Sequence, residues 1–371
     1  MLLVYWKTFH LIDDLPSSIW VEKISNENPG LDPRFMRVVE KIHAKDKFYY
    51  CLAFNNKKQI IGIAFFYTVF YDLIRNINRP IKQFFELLRK LYPSLLKVSI
   101  GMTATFETYG SHFWYASDVW NYDNFIKSFL EYITKENKNF QIIVLRDYIV
   151  NGKNENIQNQ LNFNKNLGFV NVETFSISQV LFKQNLKPDD YINELKSKHR
   201  VYLRKIIRER ALANLKVEII EDFIPYLEEI YPLYVNVNQN AKEYRTDCLE
   251  KQFFSEIKEQ FGKDTKIITI KNLEEKIMAF TLLIDSQDTI IPYLIGLDYK
   301  HSRKFNLWYH CVWEAIVHSA RVNKKVVDLG ATNSSMKHNL GGVSFPLNLS
   351  IRFRNNFLNK VFKSVLPTLA K

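Results

Sequence analysis

Apolar and polar positions along the chain follow strand and helix periods, most clearly between residues 289 and 342. The apolar run Ile290–Ile295 predicts a strand, with Pro292 at its start or at a bulge because proline cannot donate to a ladder. Apolar residues then recur three or four apart over Leu307–Val322, which predicts an amphipathic helix. A second apolar run, Lys325–Leu329, predicts a strand that returns to the sheet parallel to the first.

Two polar segments follow these strands, and the pattern predicts that both are loops. They are Asp298–Lys304 and Gly330–Gly342. Ligands of open parallel sheets bind at the carboxyl ends of the strands, so the two loops are expected to lie near one rim and to carry site chemistry. Ordinary surface loops would give the same pattern.

The same order of elements, a hairpin followed by strand, helix and strand, occurs twice, roughly 200 residues apart. In the first half the predicted elements are Phe48–Phe54, Gln59–Tyr67, Lys97–Ala104, Tyr122–Thr134 and Gln141–Leu145. In the second half the hairpin is Lys266–Lys271 with Lys276–Asp285. The chain is therefore expected to be an α/β protein with two copies of one module, joined near Asn185–Asp190.

A predicted helix over 190–214 opens the second half and is strongly basic. Between positions 196 and 210 it holds seven basic residues and one acid, a local charge of +6. The basic residues are Lys196, Lys198, Arg200, Arg204, Lys205, Arg208 and Arg210. Four of them are spaced by four and share one helix face, where like charges repel. An anionic ligand would favour this arrangement; a solvated basic face is the alternative reading.

Composition agrees with an anionic partner. The 371 residues are 47% hydrophobic, and 51 Lys and Arg against 39 Asp and Glu give a net charge of +12. The three scattered cysteines are typical of a reducing compartment. The N-terminal apolar run is too short for a signal peptide, and the longest apolar run, Ile60–Tyr71, is about half of a membrane span. We therefore expect no transmembrane segment and a cytoplasmic protein, with peripheral attachment to the inner membrane surface left open.

Three motifs resemble the FemAB-like branch of the GNAT acyltransferases. Ser197-Lys198-His199-Arg200-Val201-Tyr202-Leu203-Arg204 resembles the Ser-Lys-Lys-His-Arg-Asn-x-x-Arg motif that opens the second lobe of that branch, with one lysine missing and valine in place of asparagine. Lys337, four residues before Gly341, resembles its Lys-x-x-x-Gly loop. Asn166-Leu167-Gly168-Phe169 resembles the Leu-Gly-Phe ending of GNAT modules.

The resemblance implies two tandem GNAT-like lobes, 1–186 and 187–371, each a mixed central sheet flanked by helices. It also implies transfer of an acyl or aminoacyl group to an amine acceptor, such as a cell-envelope precursor. The donor would be acyl-CoA, an acyl-carrier protein or aminoacyl-tRNA, acting as a co-substrate, with no permanently bound cofactor.

The usual glycine-rich motif for CoA is absent at His301–Leu307. Side chains are therefore expected to hold the donor's phosphates in place of backbone N–H groups. The candidates are Lys198, Arg200, Arg204, Arg208, Arg303 and Lys304.

Amide-forming transfer needs a neutral amine, a stabilised oxyanion and a protonated leaving group. From the matching loop we assign oxyanion stabilisation to Lys337, and orientation or deprotonation of the amine to Asp298. Tyr293 and Asn333 are candidate hydrogen-bond donors at the presumed rim, and His338 is a candidate because it is next to Lys337. Glu107 and Tyr109 are candidates from a polar cluster after a first-half strand, which also includes His112. For each of them, an ordinary structural role remains the alternative.

Other chemistries lack their motifs. The sequence has no zinc-ligand spacing, no Walker loop and no Gly-x-Ser-x-Gly elbow, so no metal site is predicted. The alternative function is a non-catalytic tandem module that binds nucleic acid or an acidic protein through the basic helix. Tyr202 is the only Phe, Trp or Tyr between positions 196 and 210, which weakens recognition of single strands by stacking.

Overall fold

The computed structural model describes residues 4–25, 29–76, 79–110, 112–150, 155–183, 187–241, 248–331 and 334–369. The chain forms two compact units. The first is Met1–Thr174 together with Leu347–Lys371, and the second is Phe175–Pro346. The sequence placed the division at 186/187 and gave the C-terminal segment to the second lobe. The structural division instead falls inside a strand and returns that segment to the first unit.

The strands and helices follow the predicted order. The strands are β1 Tyr5–Phe9, β2 Lys47–Phe54, β3 Ile60–Asp72, β4 Lys97–Met102, β5 Phe113–Tyr115, β6 Ile142–Ile149, β7 Val170–Leu181, β8 Lys216–Ile220, β9 Thr265–Lys271, β10 Ile277–Ser286, β11 Thr289–Leu297, β12 Val326–Ala331 and β13 Val343–Phe353. The α-helices are α1 Ser17–Trp20, α2 Pro33–Ile42, α3 Arg79–Leu88, α4 Tyr122–Glu136, α5 Glu155–Asn166, α6 Pro188–Glu194, α7 Ser197–Leu212, α8 Leu227–Asn240, α9 Lys251–Phe261, α10 Tyr299–Phe305, α11 Leu307–Arg321, α12 Ser334–Asn339 and α13 Asn356–Leu369.

In the first unit the strands pair in the order β1-β2-β3-β4-β6-β13, and β5 pairs with β3. All pairs are antiparallel except β4 with β6. Helix α4 covers the sheet because Phe125, Phe129 and Ile133 recur every four residues and are fully buried. Asn121 begins this helix by accepting a hydrogen bond from the Asn124 N–H.

The second unit repeats this pairing pattern. Its order is β7-β12-β11-β10-β9-β8, and only β11 and β12 are parallel. The predicted parallel return through a helix is confirmed, as is the mixed α/β fold class. Pro292 lies at a bulge, since Leu282 is opposite Leu294 whereas Leu283 is opposite Pro292. Helix α11 is buried over most of its length against this sheet.

Three segments differ from their predictions. The expected helix over 190–214 is two helices, α6 and α7, because Leu195 and Lys196 adopt extended conformations. Contacts to distant residues, which a local pattern does not show, stabilise this break. The expected loops Asp298–Lys304 and Gly330–Gly342 contain the short helices α10 and α12. Asp298 explains the first of these, because its carboxylate accepts the Lys300 N–H and so caps α10.

Within the ranges given above, none of the helices combines the length and the apolar character needed to cross a bilayer. The same residues contain no group of three or more His, Cys, Asp or Glu side chains arranged to hold a metal ion.

Candidate functional site

The candidate site of the second unit begins where the parallel strands β11 and β12 part. Their pairing is short, with Thr289 opposite Val326 and Ile290 opposite Val327. Beyond that point, β11 continues against β10 as far as Leu297, and β12 continues against β7 as far as Ala331. Beyond these two residue pairs the strands are not paired with each other, which leaves a gap between their carboxyl-terminal halves.

Lys337 closes the carboxyl end of β12. It lies on α12 and not on a loop, and its side chain is buried. The Nζ atom donates to the carbonyl oxygens of Gly330 at 3.0 Å and Ala331 at 2.5 Å. The ammonium group thus fixes α12 to the end of the strand and places a positive charge there.

The basic helix α7 meets α12 at the same end of the strand. The ring of His199 packs edge-on against that of His338, with centroids 5.5 Å apart. Asn339 donates to the Tyr309 hydroxyl of α11 at 3.2 Å, and the Tyr309 ring packs edge-on against Tyr202. The two motifs with the most specific resemblance, 197–204 and 337–341, are therefore brought together.

Helix α6 fixes the chain just after α12. The Tyr191 hydroxyl donates to the Leu340 carbonyl at 2.5 Å. Gly341 has a φ of +88° and lies so close that an added Cβ would overlap this hydroxyl and approach Leu195 Cδ2 to 2.9 Å. The glycine is needed both for its backbone conformation and for this close approach.

The cations of α7 divide into two groups. Arg200 donates to the Asn193 carbonyl at 3.0 Å and Arg204 to the Asn193 side chain at 2.8 Å, which holds α6 and α7 together across the break. Arg210 forms a largely buried ion pair with Glu314 of α11. Lys198 and Arg208 are exposed and form no ion pair with any described residue. Lys205 pairs with Glu209, so Lys198 and Arg208 are the cations within α7 that are most available to an anionic ligand.

Burial and the charge of Lys198 lower the pKa of His199, and the neighbouring His338 has the same effect. His199 is therefore neutral near pH 7, with the exposed His338 beside it. A neutral imidazole beside the charged Lys198 side chain can accept or relay a proton.

The polar residues after β11 form a second positively charged region, next to the carboxylate of Asp298. Burial alone would raise the pKa of Asp298, but hydrogen bonds from His301 at 2.9 Å and from the Lys300 N–H lower it overall. A carboxylate held in this way is a weak base, so its observed role is to cap α10. Arg303 and Lys304 are exposed in the last turn of α10, just before α11 begins.

Tyr293 lies at the bulge of β11 and stacks on Phe253 of α9, with centroids 5.6 Å apart. The Tyr293 side chain is partly buried. Asn333 lies outside the described residues.

Glu107 and Tyr109 lie in the first unit, in the segment that follows β4. Glu107 contacts His43 Nε2 at 2.8 Å, and Asp46 lies 3.5 Å from His43 Nδ1. Burial alone would lower the pKa of His43, but the hydrogen bonds to Asp46 and Glu107 raise it to about 10. His112 is buried and contacts Thr108, and burial lowers its pKa to about 3.

Sequence reasoning missed several residues of these clusters. His199 stands inside the quoted motif, so its position could have singled it out. Tyr191, Tyr309 and Asn339 gave no signal, because their partners are distant in sequence. His43 gave none either, since its two carboxylates come from separate segments.

Known structures resemble this chain across nearly its whole length. L-PGS of Bacillus licheniformis superposes with a TM-score of 0.52 at 10% identity, covering 95% of each chain. FemX superposes with a TM-score of 0.54 at 10% identity, covering 85% of this chain and 90% of that one. The chain therefore has the fold of these two proteins, and the FemAB-like GNAT fold that its motifs predicted is confirmed.

Sequence comparison adds a distant relative. No family model matches the chain. A Mycobacterium tuberculosis protein named "Putative 8-amino-7-oxononanoate synthase 2" is 24% identical over 186 residues, which are 49% of this chain and 23% of the relative. The match thus spans less than a quarter of the relative's length.

Proposed function

We propose that the second unit transfers an acyl or aminoacyl group from an activated donor to an amine. The observation that carries the proposal is the meeting of α7, α12 and the parting strands β11 and β12 at one place. It joins a cationic surface and a buried ammonium group beside the gap between the two strands, and these positive charges can stabilise the oxyanion of such a transfer.

In the proposed reaction the amine nitrogen attacks the donor's carbonyl carbon, and a tetrahedral oxyanion forms. Collapse of this intermediate forms the amide bond and breaks the bond to the leaving thiol or hydroxyl group. The amine's proton passes to the leaving group, and His199 with His338 is placed to relay it. Lys337 supplies positive charge at the end of β12 and holds α12 in position. Asp298 orients α10 and does not act as the base.

The donor is proposed to be bound by side chains. Lys198 and Arg208 are ten residues apart on α7, a span of about 15 Å along a helix. This exceeds a single pyrophosphate and fits an extended polyanion, such as the backbone of aminoacyl-tRNA or the acidic face of an acyl-carrier protein. Arg303 and Lys304 lie before α11, the position where CoA-binding members use glycine N–H groups. Acyl-CoA is therefore the less favoured donor.

The test offers the purified protein three donors with a mixture of amine acceptors. Aminoacyl-tRNA, acyl-carrier protein and acyl-CoA are each labelled in the acyl group, and new amides are detected by mass spectrometry. Transfer from one of the first two, lost in a Lys198→Gln/Arg208→Gln variant that retains its thermal stability, is the expected result. Binding of polyanions without transfer from any donor would instead support the non-catalytic module.

A further inference from the structure

The first unit carries large apolar side chains at one place on its surface. Among the described residues, its four most exposed aromatic side chains are also the most exposed in the chain. They are Phe357 at 72%, Phe70 at 67%, Tyr92 at 66% and Phe84 at 57% exposure. Exposed apolar side chains indicate an interaction surface when they are grouped together and not scattered singly.

Strand registers place these residues at one end of the sheet. Asp72, at the end of β3, pairs with Lys97, at the start of β4. Ile100 of β4 pairs with Ile142 at the start of β6, and Ile142 pairs with Phe353 at the end of β13. The segment that contains α3 and the helix α13 therefore leave the sheet from the same end.

Each of the two segments presents an apolar face. Phe84, Leu87 and Leu91 are spaced by three and four and are all exposed. On α13, Phe357, Leu358 and Val361 share a face and are exposed in the same way. Arg89 fixes the first segment to the sheet, because its guanidinium binds both carboxylate oxygens of Asp72.

Cations surround these faces. Between positions 354 and 364 there are three basic residues and no acid. Around α3 the acids Asp72 and Glu86 are paired with Arg89 and Lys82. The remaining exposed cations are Lys90, Lys97, Lys360 and Lys363.

We propose that this end of the first unit docks on an anionic lipid surface. Amphipathic helices with aromatic and aliphatic residues on one face and lysines beside it insert into the lipid headgroup region. Lysines near an anionic bilayer add attraction that salt screens. The charge favours an anionic bilayer over a second copy of this chain, since two cationic faces would repel. The proposal is independent of acyl transfer.

The test measures sedimentation of the full chain with vesicles. Binding to phosphatidylglycerol–phosphatidylcholine vesicles, and much weaker binding to phosphatidylcholine alone, is expected. Phe84→Ser/Leu87→Ser/Phe357→Ser should weaken vesicle binding by about 100-fold, given the apolar area withdrawn from the bilayer. The matched control is Leu181→Ser/Leu273→Ser/Val322→Ser, which alters exposed apolar residues of the second unit and should bind as the wild type does.

A second variant tests the electrostatic part. Lys90→Gln/Lys360→Gln/Lys363→Gln should remove the preference for anionic vesicles while the weak binding to neutral ones remains. Three results would overturn the proposal. They are no vesicle binding by the wild type, equal losses in the apolar variant and its control, or a lipid-free dimer in ultracentrifugation that the apolar variant abolishes. Thermal unfolding of each variant confirms that the changes leave the fold intact.

Discussion

Lys337 shows how one buried side chain can serve both structure and chemistry. Its Nζ satisfies two backbone carbonyls and also brings a positive charge to the end of β12. The sequence singled out this residue through a motif. It could not show its burial, because the partners are backbone atoms that carry no signal in the pattern of side chains.

We expect Lys337→Met to lower turnover by roughly 100-fold or more, the scale of losing one oxyanion-stabilising group. Methionine keeps the length of the stem but leaves two carbonyls without their donor, so a loss of about 1–3 kcal/mol in the free energy of unfolding should accompany it. Steady-state kinetics and urea unfolding measure the two effects.

The matched control for Lys337 is Lys325→Met, which removes an exposed lysine paired with Asp288 in the same unit. It should change neither quantity appreciably, because an exposed ion pair contributes little. If Lys337→Met kept wild-type turnover and donor affinity, Lys337 would have no part in the reaction.

His43 predicts a pH dependence of the first unit. Its pKa is raised from 6.5 to about 10 by Asp46 and Glu107, against the effect of burial. Because the folded-state pKa is the higher one, this stabilisation is fully present below about pH 6.5 and is lost as the pH rises toward 10. The free energy of unfolding should therefore fall over this range, and His43→Gln should flatten the fall. An unchanged pH profile in the variant would contradict the assignment.

At the level of helices and strands, local patterns predicted long elements well and short ones badly. β10, β11 and α11 follow from apolar runs and from a clear helical period. The break at Leu195 was missed because apolar residues on both sides keep a helical spacing. The contacts at the break are the hydrogen bonds of Asn193 with Arg200 and Arg204, and the hydrogen bond from Tyr191 to the distant Leu340. The helices α10 and α12 have fewer than two turns, too few for a period to be recognised.

The junction of α6 with the segment after α12 gives a prediction at this scale. Gly341→Ala should destabilise the second unit by about 1–3 kcal/mol, because the new methyl group collides with Tyr191 and Leu195. Gly168→Ala is the matched control, since its φ of +91° is similar and its added Cβ would meet only ordinary contacts at 3.6 and 3.7 Å. Urea unfolding measures both.

A second variant separates the collision from the backbone strain. In a Tyr191→Phe background the hydroxyl that overlaps the new methyl group is absent, so Gly341→Ala should cost less than it does in the wild type. Equal costs in both backgrounds would mean that the close approach of Tyr191 does not constrain this junction.

For the whole molecule, the net charge of +12 raises the question of whether anions are attracted by overall charge or by one surface. The fold alone does not answer this question, because both units have the same strand-pairing pattern. The units differ in charge distribution, since the long basic helix α7 belongs to the second unit. The sequence predicted a basic helix in this region but missed the break before Ser197, where α7 begins. It could not show that Arg200, Arg204 and Arg210 are engaged within the protein, which leaves Lys198 and Arg208 for a ligand.

Two variants of equal net charge distinguish these explanations. Lys198→Gln/Arg208→Gln and Lys57→Gln/Lys127→Gln each reduce the formal charge from +12 to +10, since each removes two of the chain's cations. Lys57 and Lys127 are exposed in the first unit. If α7 holds the donor's phosphates, only the first variant should lose affinity, by about 100-fold for two charge-assisted contacts.

The salt dependence of donor binding gives an independent readout of the same pair of variants. Each phosphate contact removed should lower the slope of log K against log salt by somewhat less than one for a single-stranded nucleic acid. The first variant should therefore show a shallower slope than the wild type, and the second an unchanged one. Equal losses of affinity in the two variants, with equal slopes, would assign anion binding to the overall charge of the molecule and leave α7 as a solvated basic surface.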